Sequence, residues 1–197
     1  MDMVSRIMDF YTQIDRAVAE FQLKSGLRCP AGCGACCPTA DVQATVLEML
    51  PAAHEILCSG ETDIWMGRLT AQPDPGQCLF YSTQSTPDGG GHCLFYRWRP
   101  MLCRLFGFAA VRGRTGTRAL SVCRHIKLTD PQTASAAALL ADEAPCFVHH
   151  SSRIYALDPV LGTRLMPVNT ALRHAIERLG LRLSFNYREN LRDNSAA

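Results

Sequence analysis

The segment Cys29-Pro30-Ala31-Gly32-Cys33-Gly34-Ala35-Cys36-Cys37-Pro38 constrains this chain more than any other. Two prolines and two glycines among ten residues argue against a regular helix or strand. Proline lacks the amide donor, and glycine loses the most backbone entropy on ordering. The segment reads as a tight loop, which can turn several cysteines toward one centre without ordering distant parts of the chain. Thiolates bind borderline and soft metals well, because sulfur is polarisable and its proton is readily displaced. The spacing C-x3-C-x2-C-C therefore points to metal.

Whether cysteines so placed act as ligands depends on the redox compartment, and the chain has ten of them in 197 residues. Disulfides need an oxidising compartment and usually an export signal. Between Met1 and Gly26 the apolar residues are interrupted by Asp2, Arg6, Asp9, Asp15, Arg16 and Glu20, which leaves no uninterrupted apolar run of the signal-peptide kind. No stretch approaches the roughly 18 apolar residues of a membrane span; the richest, Ala136 to Ala141, is far too short. A cytoplasmic location is expected, where clustered cysteines serve as metal ligands or catalytic thiols rather than staples. The net charge of +2 is too small for a nucleic-acid footprint. Neither nucleic acid nor a membrane is expected as a partner, while a protein partner stays open.

The remaining pattern predicts a small α+β domain, mainly helical, with a short β-hairpin and the cysteine-rich loop. Residues 3 to 24 place Val4, Ile7, Met8, Tyr11, Ile14, Val18 and Phe21 on one helical stripe, read as core packing with a partner-helix interface as the alternative. Gly26 stands where a helix end favours a left-handed residue. A second helix is expected over about 42 to 58, capped by Asp41 and kinked or divided at Pro51. A shorter one is expected around 62 to 70. Cys78-Leu79-Phe80-Tyr81 is echoed by Cys93-Leu94-Phe95-Tyr96 across a stretch ending in Gly89-Gly90-Gly91, which predicts a hairpin whose strands each start in a cysteine. Pro100 opens a short helix carrying Cys103-Arg104. Residues 117 to 123 read as a strand ending at Cys123, and 132 to 143 as a helix started by Asp130-Pro131. Pro145 breaks that helix, and a last amphipathic helix follows over 167 to 179. The chain is read as a single domain over 1–197, with a metal-binding core at 27–125 and a C-terminal helical extension at 130–197.

The candidate ligands are Cys29, Cys33, Cys36 and Cys37 in the loop, with Cys78, Cys93, Cys103 and Cys123 at expected strand ends, turns and helix starts. Adjacent side chains diverge, so Cys36 and Cys37 rarely complete one tetrahedral site together. They serve two centres, or one is a ligand and the other is packed or redox-active. Cys58 and Cys146 read as small buried hydrophobes. Arg99 and Arg104 offset the surplus charge of a thiolate-bound centre, about −2 for four thiolates on Zn²⁺, or else contact an anion. His92 and His125, beside presumed ligands, read first as surface or packing histidines.

At these residues the chain resembles the YkgJ-type cysteine cluster family of zinc- or iron-chelating domains. The resemblance is carried by Cys29, Cys33, Cys36, Cys37, Cys78 and Cys93, by Arg99-Pro100 with Cys103-Arg104, and by Cys123 to complete the set. It spans roughly residues 27 to 125 and implies metal binding, without defining a biochemical role. The loop spacing favours a [4Fe-4S] iron–sulfur cluster over zinc by a narrow margin, since structural zinc more often uses two C-x2-C pairs.

The expected function is thus a metal-binding protein without an enzymatic role. The alternative is a cluster-dependent enzyme, performing protein-modifying methyl transfer or radical S-adenosylmethionine-like chemistry. Against radical chemistry stand the short chain, the missing strand–helix alternation, and Ala35 in place of the usual aromatic before the third cysteine. A thiol enzyme with a Cys–His pair is a third reading. No phosphate-binding glycine loop, H-E-x-x-H or G-x-S-x-G is present.

Overall fold

In the computed structural model of the chain, residues 2–29, 34, 36–72, 76–84 and 91–195 are described, with side chains to Arg182. Helix α1 (Met3–Ser25) buries Ile7, Phe10, Tyr11, Ile14, Val18 and Phe21 in the protein's own core. That settles the stripe as packing. Gly26 closes the helix at φ 74°, and its N–H donates to the Gln22 carbonyl at 3.0 Å.

The second helix starts later than the sequence reading placed it. A two-residue strand, β1 (Gln43–Ala44), precedes α2 (Val46–Cys58), and the cap is Thr45, not Asp41. Thr45 and Glu48 form a capping box: the Glu48 N–H donates to Thr45 Oγ1 at 3.2 Å, and the Thr45 N–H donates to Glu48 Oε2 at 2.9 Å. Asp41 instead accepts the Thr39 hydroxyl at 3.2 Å. Nor does Pro51 divide the element; it sits inside one helix that runs on to Cys58, buried with its neighbours. Proline removes one backbone bond there, and burial of the surrounding Leu47, Met49, Leu50, Ala52 and Ala53 holds the helix together across it.

After α3 (Thr62–Ala71) the chain forms β2 (Tyr81–Ser82) and β3 (His92–Cys93), paired antiparallel with Tyr81 opposite Cys93. The hairpin is shorter than expected, and Cys78 lies in the turn before it rather than at a strand start. Its Cys-Leu-Phe-Tyr echo has a packing purpose. Phe80 and Phe95, each two residues after a cysteine, stack at 4.4 Å between ring centres, with Trp65 edge-on to both.

A 3-10 turn (Tyr96–Trp98) leads to α4 (Met101–Leu105), opened by Pro100 as expected. Then β4 (Ala110–Arg112) pairs with β5 (Arg118–Leu120), and α5 (Arg124–Thr129) begins directly after Cys123. Asp130 caps α6 (Pro131–Ala138) by accepting the Thr133 N–H at 3.0 Å; the stretch to 143 continues as turns, not helix.

Helices α7 (Phe147–Tyr155) and α8 (Pro159–Gly162) follow, and β6 (Met166–Pro167) pairs with β1. The last helix, α9 (Val168–Ser195), runs far beyond the expected end at 179. It packs on α2 through Val168, Ala171, Leu172, Ala175 and Ile176, in one core that also takes in α1. The result is the mainly helical α+β fold read from the sequence, with three short antiparallel strand pairs among the described residues. No helix among them is long and apolar enough to cross a membrane.

Burial raises the Glu48 carboxyl above its ordinary pKa, against the hydrogen bonds that Thr45 donates. The folded protein therefore takes up this proton more readily than the unfolded chain. Glu48 contributes most favourably below its unfolded pKa, and that contribution is lost as pH rises through the folded one. Glu48→Gln keeps an acceptor for Thr45 without the buried charge. Its urea midpoint at pH 7 is expected to equal or exceed the wild type, with the gap closing on acidification. Glu48→Ala, which loses the box, should cost about 1 kcal/mol. A Gln variant clearly less stable than wild type at pH 7 would refute this account.

Candidate metal centre

The cysteines come together around one cavity of about 880 Å³ between α1, the loop after it, the hairpin, α4 and the start of α9. Cys29, Cys36, Cys37, Cys78, Cys93 and Cys103 line it, together with Asp41, His92, Tyr96, Arg99 and Arg104. The opposite wall is apolar and includes Val18, Val42, Phe106, Phe108 and Val168. Cys33 lies outside the described residues. Cys123 does not line the cavity; it caps α5 half-buried against the core, close to Gly107. Cys146 sits in a backbone bridge to Ala110, away from the cavity. Cys58, read as a buried hydrophobe, is exposed beside His54, 3.7 Å from its ring nitrogens, because the outer face of α2 carries it into solvent. Cys36, Cys37, Cys58, Cys78, Cys93, Cys103, Cys123 and Cys146 form no disulfide.

Each ligand candidate is positioned by local structure. In the loop the Cys37 N–H donates to the Gly34 carbonyl at 2.9 Å, and the Thr39 N–H to the Cys37 carbonyl at 2.8 Å, which turns the vicinal pair back on itself. Glycine is required where loop meets hairpin. A Cβ on Gly34 would stand 2.0 Å from the Gly91 carbonyl oxygen, and one on Gly91 would stand 2.3 Å from that of Ser82. These two bare backbones bring Cys36 and Cys37 against the strand that carries Cys93.

The segment around Cys78 is held by Asn169 at the start of α9. Its Oδ1 accepts the Leu79 N–H at 3.0 Å, and its Nδ2 donates to the Gln77 carbonyl at 2.8 Å. Sequence reading passed over Asn169; a polar residue in the first turn of an apolar helix was the only signal. Cys103 is carried on α4 between the buried Met101 and Leu105.

Thiol chemistry follows from this crowding. Burial, and then the charges of neighbouring thiols, push Cys103 and Cys93 upward; burial raises Cys78 to about 11. A hydrogen bond from Cys37 lowers Cys36, and the same bond raises Cys37. The charge belongs to the pair. Thiols that ionise with difficulty because they are buried beside one another are relieved by a cation among them, which displaces their protons.

Two buried nitrogens of cavity-lining residues, His92 Nδ1 and Arg99 Nε, lack hydrogen-bond partners among the described residues, as expected where an ion or ligand completes a site. The donor chemistry fits a thiophilic metal or cluster. Among the described residues the donors ring the cavity, and no three His, Cys, Asp or Glu side chains already meet at metal-ligand spacing.

The two arginines have different surroundings. Arg104 is buried over the Tyr11 ring and donates to Asp15 and to the carbonyls of Arg97 and Arg99, the last at 3.0 Å. Arg99 lies over the Tyr96 ring at 3.7 Å, with Asp15 3.8 Å from one terminal nitrogen. Asp15 and Tyr96 had not been singled out in the sequence, since a charge on the far side of α1 looks like solvent-facing polarity.

The CxxCxxCC family model, a putative zinc- or iron-chelating domain, matches residues 28–124. These residues, just under half the chain, match that family. Comparisons with curated proteins and with solved structures each found no match. The matched chelating domain includes every cavity-lining cysteine as well as Arg99 and Arg104. Its first cysteine gap holds three residues here, against the two in the family's motif. Metal binding, of zinc or iron, is thus the function class that the match supports for this domain.

Proposed function

We propose that the cavity holds an iron–sulfur cluster of the [4Fe-4S] type, with zinc as the second reading, and that its ligands are drawn from Cys29, Cys33, Cys36, Cys37, Cys78, Cys93 and Cys103. The observation that carries this is the convergence of six thiols from four separate segments on one cavity. A [4Fe-4S] cluster and a tetrahedral zinc ion each take four thiolates, and the cavity, broader than one ion requires, favours the cluster. The C-x3-C-x2-C spacing supports the same choice. Cys123, off the cavity wall, is left out of the ligand set. Arg99 serves the centre's charge, and Arg104 serves its framework. The whole chain is one domain whose residues 27–125 carry the centre, working in a reducing compartment such as the cytoplasm, where thiols persist.

The role is binding, not catalysis: the metal stabilises the fold, senses redox state or is passed on, and a protein partner would receive that output. Cluster-dependent methyl transfer is the competing role.

The test is purification without oxygen, followed by metal and sulfide analysis and a visible absorption spectrum. The expected product is brown, with iron and acid-labile sulfide each near about four per chain. A colourless protein with one or two zinc ions would overturn the cluster in favour of zinc, and a protein that takes up neither metal would overturn both.

A further inference from the structure

Arg99 is held beside the thiols with a donor to spare. Its guanidinium carbon stands over the Tyr96 ring, 3.7 Å from the ring centre, and one terminal nitrogen lies 3.8 Å from Asp15. Arg104 braces this arrangement from behind, bonding both Asp15 and the Arg99 carbonyl. The Tyr96 ring, the Asp15 carboxylate and the Arg104 brace engage the rest of the group, but not Nε, which is buried and has no hydrogen-bond partner among the described residues. An empty buried guanidinium donor calls for an explanation, and beside a cavity an ion or ligand supplies one.

What lies in front of Arg99 is the thiol cavity, whose wall it shares with Cys36, Cys93 and Cys103. Its positive charge acts on all three of these thiols. Each nitrogen of Arg104, Nε included, already donates to Asp15 or to a carbonyl, so the pair is not interchangeable.

We propose that Arg99 is a positioning residue of the metal centre, its Nε–H donating to the thiolate sulfur of Cys36 or Cys93 once metal has displaced their protons. The guanidinium keeps its proton throughout, and its charge offsets the surplus negative charge of a thiolate-bound centre. Hydrogen bonds to ligand sulfur hold the ligand in place and favour the more negative, reduced state of an iron centre. This rests on the metal-binding reading above.

The wild type, Arg99→Lys and Arg99→Gln, all purified without oxygen, separate the possibilities. Metal per chain, far-ultraviolet circular dichroism and the half-time of metal release to excess chelator are measured for each, with the midpoint potential added if the metal is iron. Release is expected to be at least about tenfold faster from Arg99→Gln. Arg99→Lys should fall between, since lysine returns the charge without the planar donor. An iron centre should also become harder to reduce in Arg99→Gln.

Equal half-times and potentials in all three proteins overturn the proposal. Loss of helical circular dichroism in both variants assigns Arg99 to packing alone and overturns it equally. A wild type that holds no metal refutes the underlying reading and takes the proposal with it; the wild-type metal analysis distinguishes that case from the others.

Discussion

Cys103→Ala is expected to purify with less than about a tenth of the wild-type metal and to aggregate, since losing a ligand should cost at least as much affinity as losing an outer-sphere partner. Cys103 is carried on a short helix pinned by Met101 and Leu105, both fully buried, so the backbone cannot bring a replacement donor into its place. Its thiol, pushed up by burial and by Cys78 and Cys93, is a donor whose ionisation a metal must drive. If metal binding supplies folding free energy, losing it exposes the loop and hairpin together. Cys146→Ala is the matched control, because Cys146 takes part through its backbone, next to Ala110, and does not line the cavity. It should keep both metal and solubility. Equal metal content in the two variants would remove Cys103 from the site.

Gly34→Ala should be comparably damaging although it deletes no ligand. The added methyl would stand 2.0 Å from the Gly91 carbonyl oxygen and 2.5 Å from its carbon, so backbone must move, not a flexible side chain. Overpacking of this kind costs about 3 kcal/mol or more. Here the displaced backbone is the loop that brings Cys36 and Cys37 to the hairpin carrying Cys93. Metal content should therefore fall together with the urea midpoint. Gly67→Ala, on the exposed side of α3 with nothing within 4 Å, should instead leave metal unchanged and add roughly 0.5–1 kcal/mol of stability. A Gly34→Ala protein with full metal content would show that loop and hairpin are joined in some other way.

Much of this was legible in the chain because it depends on neighbours in sequence. The stripe from Ile7 to Phe21 and the left-handed Gly26 define α1 whatever it packs on. Asp130-Pro131 starts α6, and Pro100 starts α4, by the same local chemistry. Dense cysteines beside proline and glycine announce a chelating loop, and the family match agrees with that reading. Errors fell where a distant segment overrode a local signal. Thr45 outcompeted Asp41 as a cap because β6 pairs with Gln43–Ala44 and holds those residues extended, which delays the helix. The last helix passes its expected end because Gly180 is tolerated within it once the preceding turns are packed on α2.

Most of the helices, the cysteine-rich loop and the thiol chemistry of the candidate donors were thus readable from the chain alone. All three follow from short-range periodicity and from the affinity of thiolates for soft metals. Only the tertiary structure decided which cysteines share a cavity, that Cys123 stands off it, and that Arg99 faces the thiols while Arg104 braces the framework. It also showed that Gly34 and Gly91 must lack side chains for loop and hairpin to meet. Those outcomes depend on contacts between residues dozens of positions apart, set by how a common core closes and not by any local pattern of residues.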